Sequence, residues 1–480
     1  MSNSVVIPQI LEGLDGRRPR LERADQVAFL VDAAAYFDAL RTSLLTARGI
    51  VWIIGWDFDP RIKLRPDLEA EPPLGALLRR LVEQNEALHI KILIWAMGPI
   101  YSSRSGELYV HHPWADHPQI SLKFDIRHPL RASHHQKIVV IDRSIAFSGG
   151  IDLTSGRWDT REHHATADLR RTPGGERYGP VHDVQIAVSG DAAGALAEIA
   201  ESRWVAAGEN SGEAPADTIV HGSWPQQLPF DLAGCKIAIA QTQGGILLRS
   251  GKREAVKLTL QLIRSARKSL YIETQYLASW RVARAIKDRL DEPSGPEVVI
   301  LVTKSSRGIV EQYVMAHQRN RILRWLGGAN GPRLRVVYRM KCNDGNPSKE
   351  VLVHSKVIVV DDNAVRIGSS NLNNRSEGLD TECDLVVFAE NDEHRRAIAA
   401  FRDGLLAEHL ETDLAELGRA LSDCKTLVGA VDRLTAISGT LRTHDDLDED
   451  GAPILGTRLF DPSRPVRPFG WLLRRIFGKS

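Results

Sequence analysis

The chain has 480 residues, 43% apolar and 26% charged, a composition of two or three globular domains and not of a fibrous or disordered protein. Its 62 lysines and arginines almost cancel its 61 aspartates and glutamates, so net charge gives no reason to expect a nucleic-acid partner. Four dispersed cysteines, Cys235, Cys342, Cys383 and Cys424, exclude a disulfide framework or thiolate zinc site and read as free thiols in a reducing compartment. Met1 to Arg20 lacks the basic-then-apolar pattern of a leader, its apolar patch Val5 to Leu11 being broken by Pro8 and Gln9. No stretch approaches the roughly 20 apolar residues of a spanning helix. The expectation is a cytoplasmic chain, peripheral at most on the inner face of a membrane.

In chain order, Ala34 to Asp59 reads as a helix–strand unit: an amphipathic helix with Tyr36, Leu40, Leu44 and Leu45 at helical spacing, then the strand Ile50 to Trp56. A helix over Leu74 to Asn85 and a strand over Ile90 to Trp95 come next. The same order returns later in the chain. A helix carrying Leu258, Leu262 and Ile263 leads to the strand Ser269 to Gln275, then a helix over Trp280 to Leu290 and a strand over Glu297 to Val302. Each copy ends on a histidine-led apolar strand, Ile138 to Ile141 and Val357 to Val360. Strands alternating with helices predict two duplicated α/β/α sandwich domains with mixed, mostly parallel sheets. The boundaries expected are 1–207 for the first domain, a Gly/Pro/Ser-rich linker over 208–234, 235–415 for the second, and a helical, basic tail over 416–480.

The repeat carries a motif. The first copy reads His135-Gln-Lys137-Ile-Val-Val-Ile-Asp142 with Gly149-Gly150 beyond it; the second reads His354-Ser-Lys356-Val-Ile-Val-Val-Asp361 with Gly368-Ser369 at the same offset. One H-x-K-x4-D is a modest signal, whereas two, each after a matching helix–strand unit, are a strong one. Strand alternation puts His135 with Lys137, and His354 with Lys356, on one face. Asp142 and Asp361 fall on the other face, which predicts that they bond backbone or a cationic partner although the motif includes them. Two imidazoles and two ammonium groups supply the nucleophile, acid and positive charge that attack on a phosphodiester requires. One imidazole must be neutral to attack while the other is protonated to donate.

Over roughly Ala28 to Leu410 the chain resembles the phospholipase D superfamily, with a likeness to bacterial phospholipase D and cardiolipin-synthase-like proteins. Besides the two motifs, Gly55-Trp-Asp57, Gly149-Gly-Ile-Asp-Leu153, Gly156-Arg-Trp-Asp159, His182-Asp-Val184, Ile272-Glu-Thr-Gln-Tyr276 and Gly368-Ser-Ser-Asn-Leu-Asn-Asn-Arg-Ser376 carry the likeness. The resemblance implies two α/β domains about a pseudo-two-fold axis, with one active site at their interface and neither metal nor organic cofactor. It implies His135 as nucleophile and His354 as general acid, then base; the near-symmetry of the motifs leaves the reverse order open. Lys137 and Lys356 are to hold the phosphoryl oxygens with Asn371. Asp152 stands at Asn371's offset in the first copy, where a carboxylate would repel phosphate, so a bond to Lys or His is the expectation for it. Glu382 matches the family residue that fixes its neighbouring histidine's tautomer, and Asp183 is its counterpart for His135.

Other residues are set aside. His134 is turned away by strand alternation. His111-His112 and His163-His164 could suggest a metal, but no acidic or cysteine partners complete a site, and they read as polar loop histidines. Trp56 and Trp158 suit a lipid entrance or a core equally, and Arg307 to Arg324 reads as a basic amphipathic helix with a buried stripe. The tail, Arg464 to Lys479, combines arginines with Phe469, Trp471 and Phe477, which fits either a membrane-surface segment or a final packed helix. The reading is a monomeric phospholipase D acting on phospholipid, with transphosphatidylation in reach. A cardiolipin-synthase-like phosphatidyltransferase and a nuclease on the same scaffold are the alternatives.

Overall fold

The computed structural model describes residues 10, 18–97, 113–208, 224–245, 251–305, 309–343, 346–444 and 460–464. His111-His112, most of the expected linker, the acidic loop after His444 and the tail beyond Arg464 lie outside them.

Strand β1 (Arg20–Val31) starts charged and ends in the fully buried run Val27 to Val31, the composition of a strand covered on both faces. Helix α1 (Asp32–Leu44), β2 (Ile50–Gly55), α2 (Leu74–Gln84), β3 (His89–Trp95) and β4 (Ile120–Asp125) follow. The first motif leads into β5 (Ile138–Ile141), which turns back as β6 (Ile145–Gly149). Then come β7 (Val181–His182), β8 (Val184–Ser189) and α3 (Asp191–Ala206).

The second half repeats the order. It runs β9 (Leu232–Gln243), α4 (Glu254–Ser265), β10 (Ser269–Thr274), α5 (Trp280–Asp291), β11 (Glu297–Val302), α6 (Ile309–Leu326) and β12 (Leu334–Asn343). It continues with β13 (Leu352–Val353), β14 (Val357–Val360), β15 (Ala364–Gly368), α7 (Asn374–Gly378), β16 (Glu382–Phe388) and α8 (Asp392–Leu410). Helices α9 (Leu414–Cys424) and α10 (Leu427–Ser438) and strand β17 (Leu441–Thr443) close it.

One mixed sheet passes through both halves in the order β4-β3-β2-β5-β6-β8-β1-β9-β16-β15-β14-β10-β11-β12-β17. The seam is the antiparallel pairing of β1 with β9, from Arg20 opposite Ile239 to Val27 opposite Leu232. Within this order, parallel pairing is confined to β2-β3-β4 and β10-β11-β12. The parallel majority expected from strand–helix alternation is therefore absent. Each motif strand doubles back as a hairpin, and the strands beyond it continue antiparallel to the seam.

Two boundaries shift as well. Leu232 to Gly234, expected in the linker, already belong to β9, and 416–443, expected in the tail, pack back and add β17 to β12. A continuous apolar core, including residues of α3, α8, α9 and α10, lines one face of the sheet in both halves. The opposite face has separate cores, under α1 and α2 in the first half and under α4 and α5 in the second. Trp158 packs at the edge of the first of these, and Trp56 lies against Trp95 with ring centroids 5.6 Å apart. No helix of the described residues is long and apolar enough to cross a membrane.

Candidate active site

Each motif enters its strand from an extended segment that pairs across the seam. His135 N–H donates to Thr381 O at 3.0 Å, while β7 and β13 pair in parallel and His354 N–H donates to His182 O at 2.8 Å. The residue after each of these acceptors is an acid. Glu382 Oε2 therefore lies 2.9 Å from His135 Nδ1, and Asp183 Oδ2 lies 2.7 Å from His354 Nδ1. This corrects the expected pairing of each histidine with the acid of its own half. The hairpin strand explains it: β6 separates β5 from β8, and β15 separates β14 from β16, so each acid faces the other half's histidine.

The carboxylate at each imidazole Nδ1 fixes the tautomer that leaves Nε2 with its lone pair. Glu382 is completely buried and accepts from Ser369 Oγ and Ser376 Oγ, each at 2.6 Å. Burial pushes its carboxyl up to about 8, against the two serines and Lys137, which pull it down. Burial raises Asp183 to about 6, with Lys356 and Arg157 opposing. Gly150 makes room for this acid, because a Cβ there would collide with Asp183 Oδ1. Its counterpart in the second copy is Ser369, the donor to Glu382.

The lysines flank the histidines. Lys137 Nζ donates to His135 O at 3.0 Å and lies 3.1 Å from Asp152 Oδ2, while Asp152 Oδ1 accepts from Trp56 N–H at 2.9 Å. Lys356 Nζ donates to His354 O and lies 3.1 Å from His354 Nδ1. Burial, then Lys137 and Arg157, bring Lys356 down to about 7 despite Asp183. Both imidazoles are held well below their ordinary value. For His135 the causes are burial, Lys137 and Lys356; for His354 they are burial, Lys356 and Arg157. The His135 side chain keeps 17% of its surface open against 8% for His354. Asn371 sits beside Ser376, its buried Oδ1 without a hydrogen-bond partner.

Asp142 and Asp361 are elsewhere. Asp142 accepts from the backbone N–H groups of Arg48, Gly49 and Ile50 at 2.7 to 2.9 Å, and Asp361 from those of Arg267, Lys268 and Ser269 at 2.7 to 3.3 Å. Both have φ of 51°, a left-handed conformation that aspartate tolerates better than most residues. Each staples the turn between the first helix of its half and the strand after it, α1 to β2 and α4 to β10, to the end of the motif strand. His134 turns away to Asp125, its Nδ1 3.1 Å from Oδ2.

Sequence reasoning gave no role to Ser369, Ser376 or Arg157. All three stand inside motifs that carried the resemblance, which was the available signal. His163 is a correction: it is fully buried, with Asp159 and Glu408 each 3.0 Å from a ring nitrogen, whereas His164 is exposed. Asp159 stands four residues before it, but Glu408 comes from α8 in the other half, which local sequence does not reveal.

Residues 115–223 match the family described as Phospholipase D, and residues 259–403 the one described as Cardiolipin synthase, PLD-like domain. The chain is 24% identical over 486 residues to phospholipase D2 of Bos taurus, covering 76% of this chain and 49% of that protein. It is 26% identical over 435 residues to phospholipase D A of Dictyostelium discoideum, covering 75% of this chain and 32% of that protein. The chain thus spans half or less of the length of these relatives. The crystal structure of the phosphatidylserine synthase of Haemophilus influenzae Rd KW20 matches with a TM-score of 0.56 at 13% identity, over 90% of this chain and 98% of that one, a likeness of fold.

Proposed function

The chain belongs to the phospholipase D superfamily, and from that premise we propose that it cleaves phospholipid phosphodiesters to phosphatidic acid and an alcohol through a phosphohistidine. The observation that carries the reading is the reciprocal pairing of two imidazoles with two buried acids, flanked by two buried lysines. His135 Nε2 attacks phosphorus as the bond to the headgroup oxygen breaks, and His354 delivers its proton to the departing alkoxide. Water then attacks the phosphohistidine, giving its proton to His354 as the P–N bond breaks. An alcohol in place of water yields a new phosphatidyl ester. The more open edge of His135 supports its role as nucleophile.

The electrostatics suit an anionic substrate. Burial, Lys137 and Lys356 press both imidazoles toward the neutral form, joined at His354 by Arg157. A phosphodiester monoanion offsets those cations, restores full charge to Lys356 and lets one imidazole take the proton it must donate. Asn371 offers its side-chain amide to the same oxygens, and Asp152 neutralises and steers Lys137.

Both imidazoles and both acids come from one chain, which supports action as a monomer. We place it on the cytoplasmic face of a membrane, with the basic aromatic segment 464–479 at the lipid surface; deleting 462–480 should then weaken sedimentation with anionic vesicles. Mass spectrometry of products from mixed phospholipid vesicles, with and without glycerol, tests the activity. Phosphatidic acid supports hydrolysis, and phosphatidylglycerol appearing only with glycerol supports transfer. Intact lipid alongside cleaved DNA or RNA would overturn the reading in favour of a nuclease.

A further inference from the structure

Beside the active site, four side chains from distant parts of the chain converge in a buried cluster. Asp32 stands at the start of α1, His163 in the loop after β6, His182 in β7, and Glu408 in α8 of the second half. Asp32, His163 and His182 are at most 1% exposed, and the Glu408 side chain is 3% exposed. His182 Nδ1 is 3.1 Å from Asp32 Oδ1 and 2.8 Å from Glu408 Oε1. His163 Nε2 is 3.5 Å from Asp32 Oδ2 and 3.0 Å from Glu408 Oε1.

The opposite nitrogen of each ring is also held by a carboxylate. His163 Nδ1 meets Asp159 Oδ2, and His182 Nε2 meets Glu273 Oε2, both at 3.0 Å. Asp159 is itself bound by Arg170 at 2.9 and 3.0 Å, and Glu273 by Tyr271 Oη at 2.6 Å and His409 Nε2 at 2.9 Å. If Nε2 of His182 carries the proton toward Glu273, its Nδ1 lone pair faces two carboxylate oxygens. Neither contact has hydrogen-bond geometry: His182 Nδ1 and Asp32 Oδ2 are buried atoms without a hydrogen-bond partner.

Charge leads to the same point. Three buried acids, Asp32, Asp159 and Glu273, and Glu408 with its side chain 3% exposed face two buried guanidiniums, Arg170 and Arg339; exposed Arg161 reaches Glu408 only at 3.8 Å. Uncompensated buried carboxylates are costly, so this deficit is met by protons on the imidazoles or carboxyls or by a divalent cation.

We infer that His163 Nε2, His182 Nδ1, Asp32 and Glu408 Oε1 form a tetrahedral site for a zinc-class divalent metal. Zinc–ligand bonds of about 2.0–2.1 Å on a tetrahedron correspond to ligand separations of roughly 3.3–3.4 Å; Glu408 Oε1 lies 2.8 and 3.0 Å from the two imidazole nitrogens, and Asp32 presents Oδ1 to one at 3.1 Å and Oδ2 to the other at 3.5 Å, so a small rotation of its carboxylate brings one oxygen to both. A carboxylate on the far nitrogen of each ring is the arrangement that orients metal-bound histidines. The metal would tie three elements of the first half to α8 of the second. It would also fix His182, whose neighbour Asp183 engages His354 and whose carbonyl accepts from His354 N–H. Its role is to hold, not to touch the phosphate.

The test is the metal content of the full chain, purified without a metal-affinity step, by plasma mass spectrometry. One equivalent of a divalent transition metal is expected, with a melting temperature that falls on dialysis against a strong chelator and recovers with Zn²⁺. Co²⁺ should substitute with the intense visible bands of a tetrahedral ion, lost in His163→Gln and Glu408→Gln. Metal-free protein whose melting ignores both chelator and Zn²⁺ would overturn the inference and leave protons to balance the cluster. Full metal content in both variants would also overturn it, by placing the ion elsewhere. Should the variants not fold, X-ray absorption of the zinc-loaded parent decides: nitrogen and oxygen neighbours with imidazole outer shells support the site, and sulfur neighbours overturn it.

Discussion

Replacing Asp142 separates the architecture of the motif from its chemistry. Its carboxylate accepts three backbone N–H groups, from Arg48, Gly49 and Ile50, in a loop that is only partly buried. A hydrogen bond to a charged group is worth about 1.5–3 kcal/mol net, but donors near solvent recover part of that from water. The left-handed backbone at φ 51° adds roughly 1 kcal/mol for alanine. Asp142→Ala should therefore cost about 3–5 kcal/mol.

Asp142→Asn should cost about 1–2 kcal/mol. Its Oδ1 still serves Gly49 and Ile50, whereas its amide turns a donor toward Arg48 N–H. For 480 residues, an unfolding entropy of about 2.1 cal/mol/K per residue makes 1 kcal/mol worth only about one degree. Urea denaturation followed by tryptophan fluorescence is thus the better assay. Turnover of a soluble phosphodiester, measured well below the transition, should stay within a few-fold of the parent in both variants. An alanine variant as stable as the parent but without turnover would refute the reasoning, because it would put this carboxylate in the reaction.

Rapid quench with labelled substrate should show no covalent intermediate in His135→Ala and a trapped one in His354→Ala on an ester with a good leaving group; label on His354 would reverse the assignment. Burial and two lysines hold the His135 imidazole well below its ordinary value near 6.5, so the acid limb of kcat/KM should lie below that pH. Lys137→Gln removes a cation that disfavours the imidazolium, so the limb should move to higher pH, and a limb unmoved or shifted down would contradict this. Gly150→Ala should drive Asp183 from His354 Nδ1 and lower kcat more than it raises KM, an effect that an alanine without cost at this position would disprove.

The repeated helix–strand unit was legible because its apolar positions follow helical and strand periods closely, as in Leu258, Leu262 and Ile263 before Ser269 to Gln275. Period-two counting likewise separates Asp142 and Asp361 from the histidines of their own motifs. The seam was not legible. β1 begins with charged residues and shows its apolar run only in its last turns of pleat, and its partner β9 lies more than 200 residues away. The swap of Asp183 and Glu382 follows from that seam, and local spacing says nothing about which half an acid will face. The burial of His163 depends on Asp32 and Glu408, far from it along the chain.

The crossing of the acids bears on how the two imidazoles can differ. Were the halves separate and identical, every substitution would appear on both sides of the seam and the histidines would remain equals. A single chain lifts that constraint. Where one side has Asp183, Gly150 and Asp152, the other has Glu382, Ser369 and Asn371. The inequality at 183 and 382 reaches, from each acid, the imidazole of the opposite half. Division of labour between attack and proton transfer can thus be tuned one residue at a time, by changes whose effects appear across the seam from where they are made.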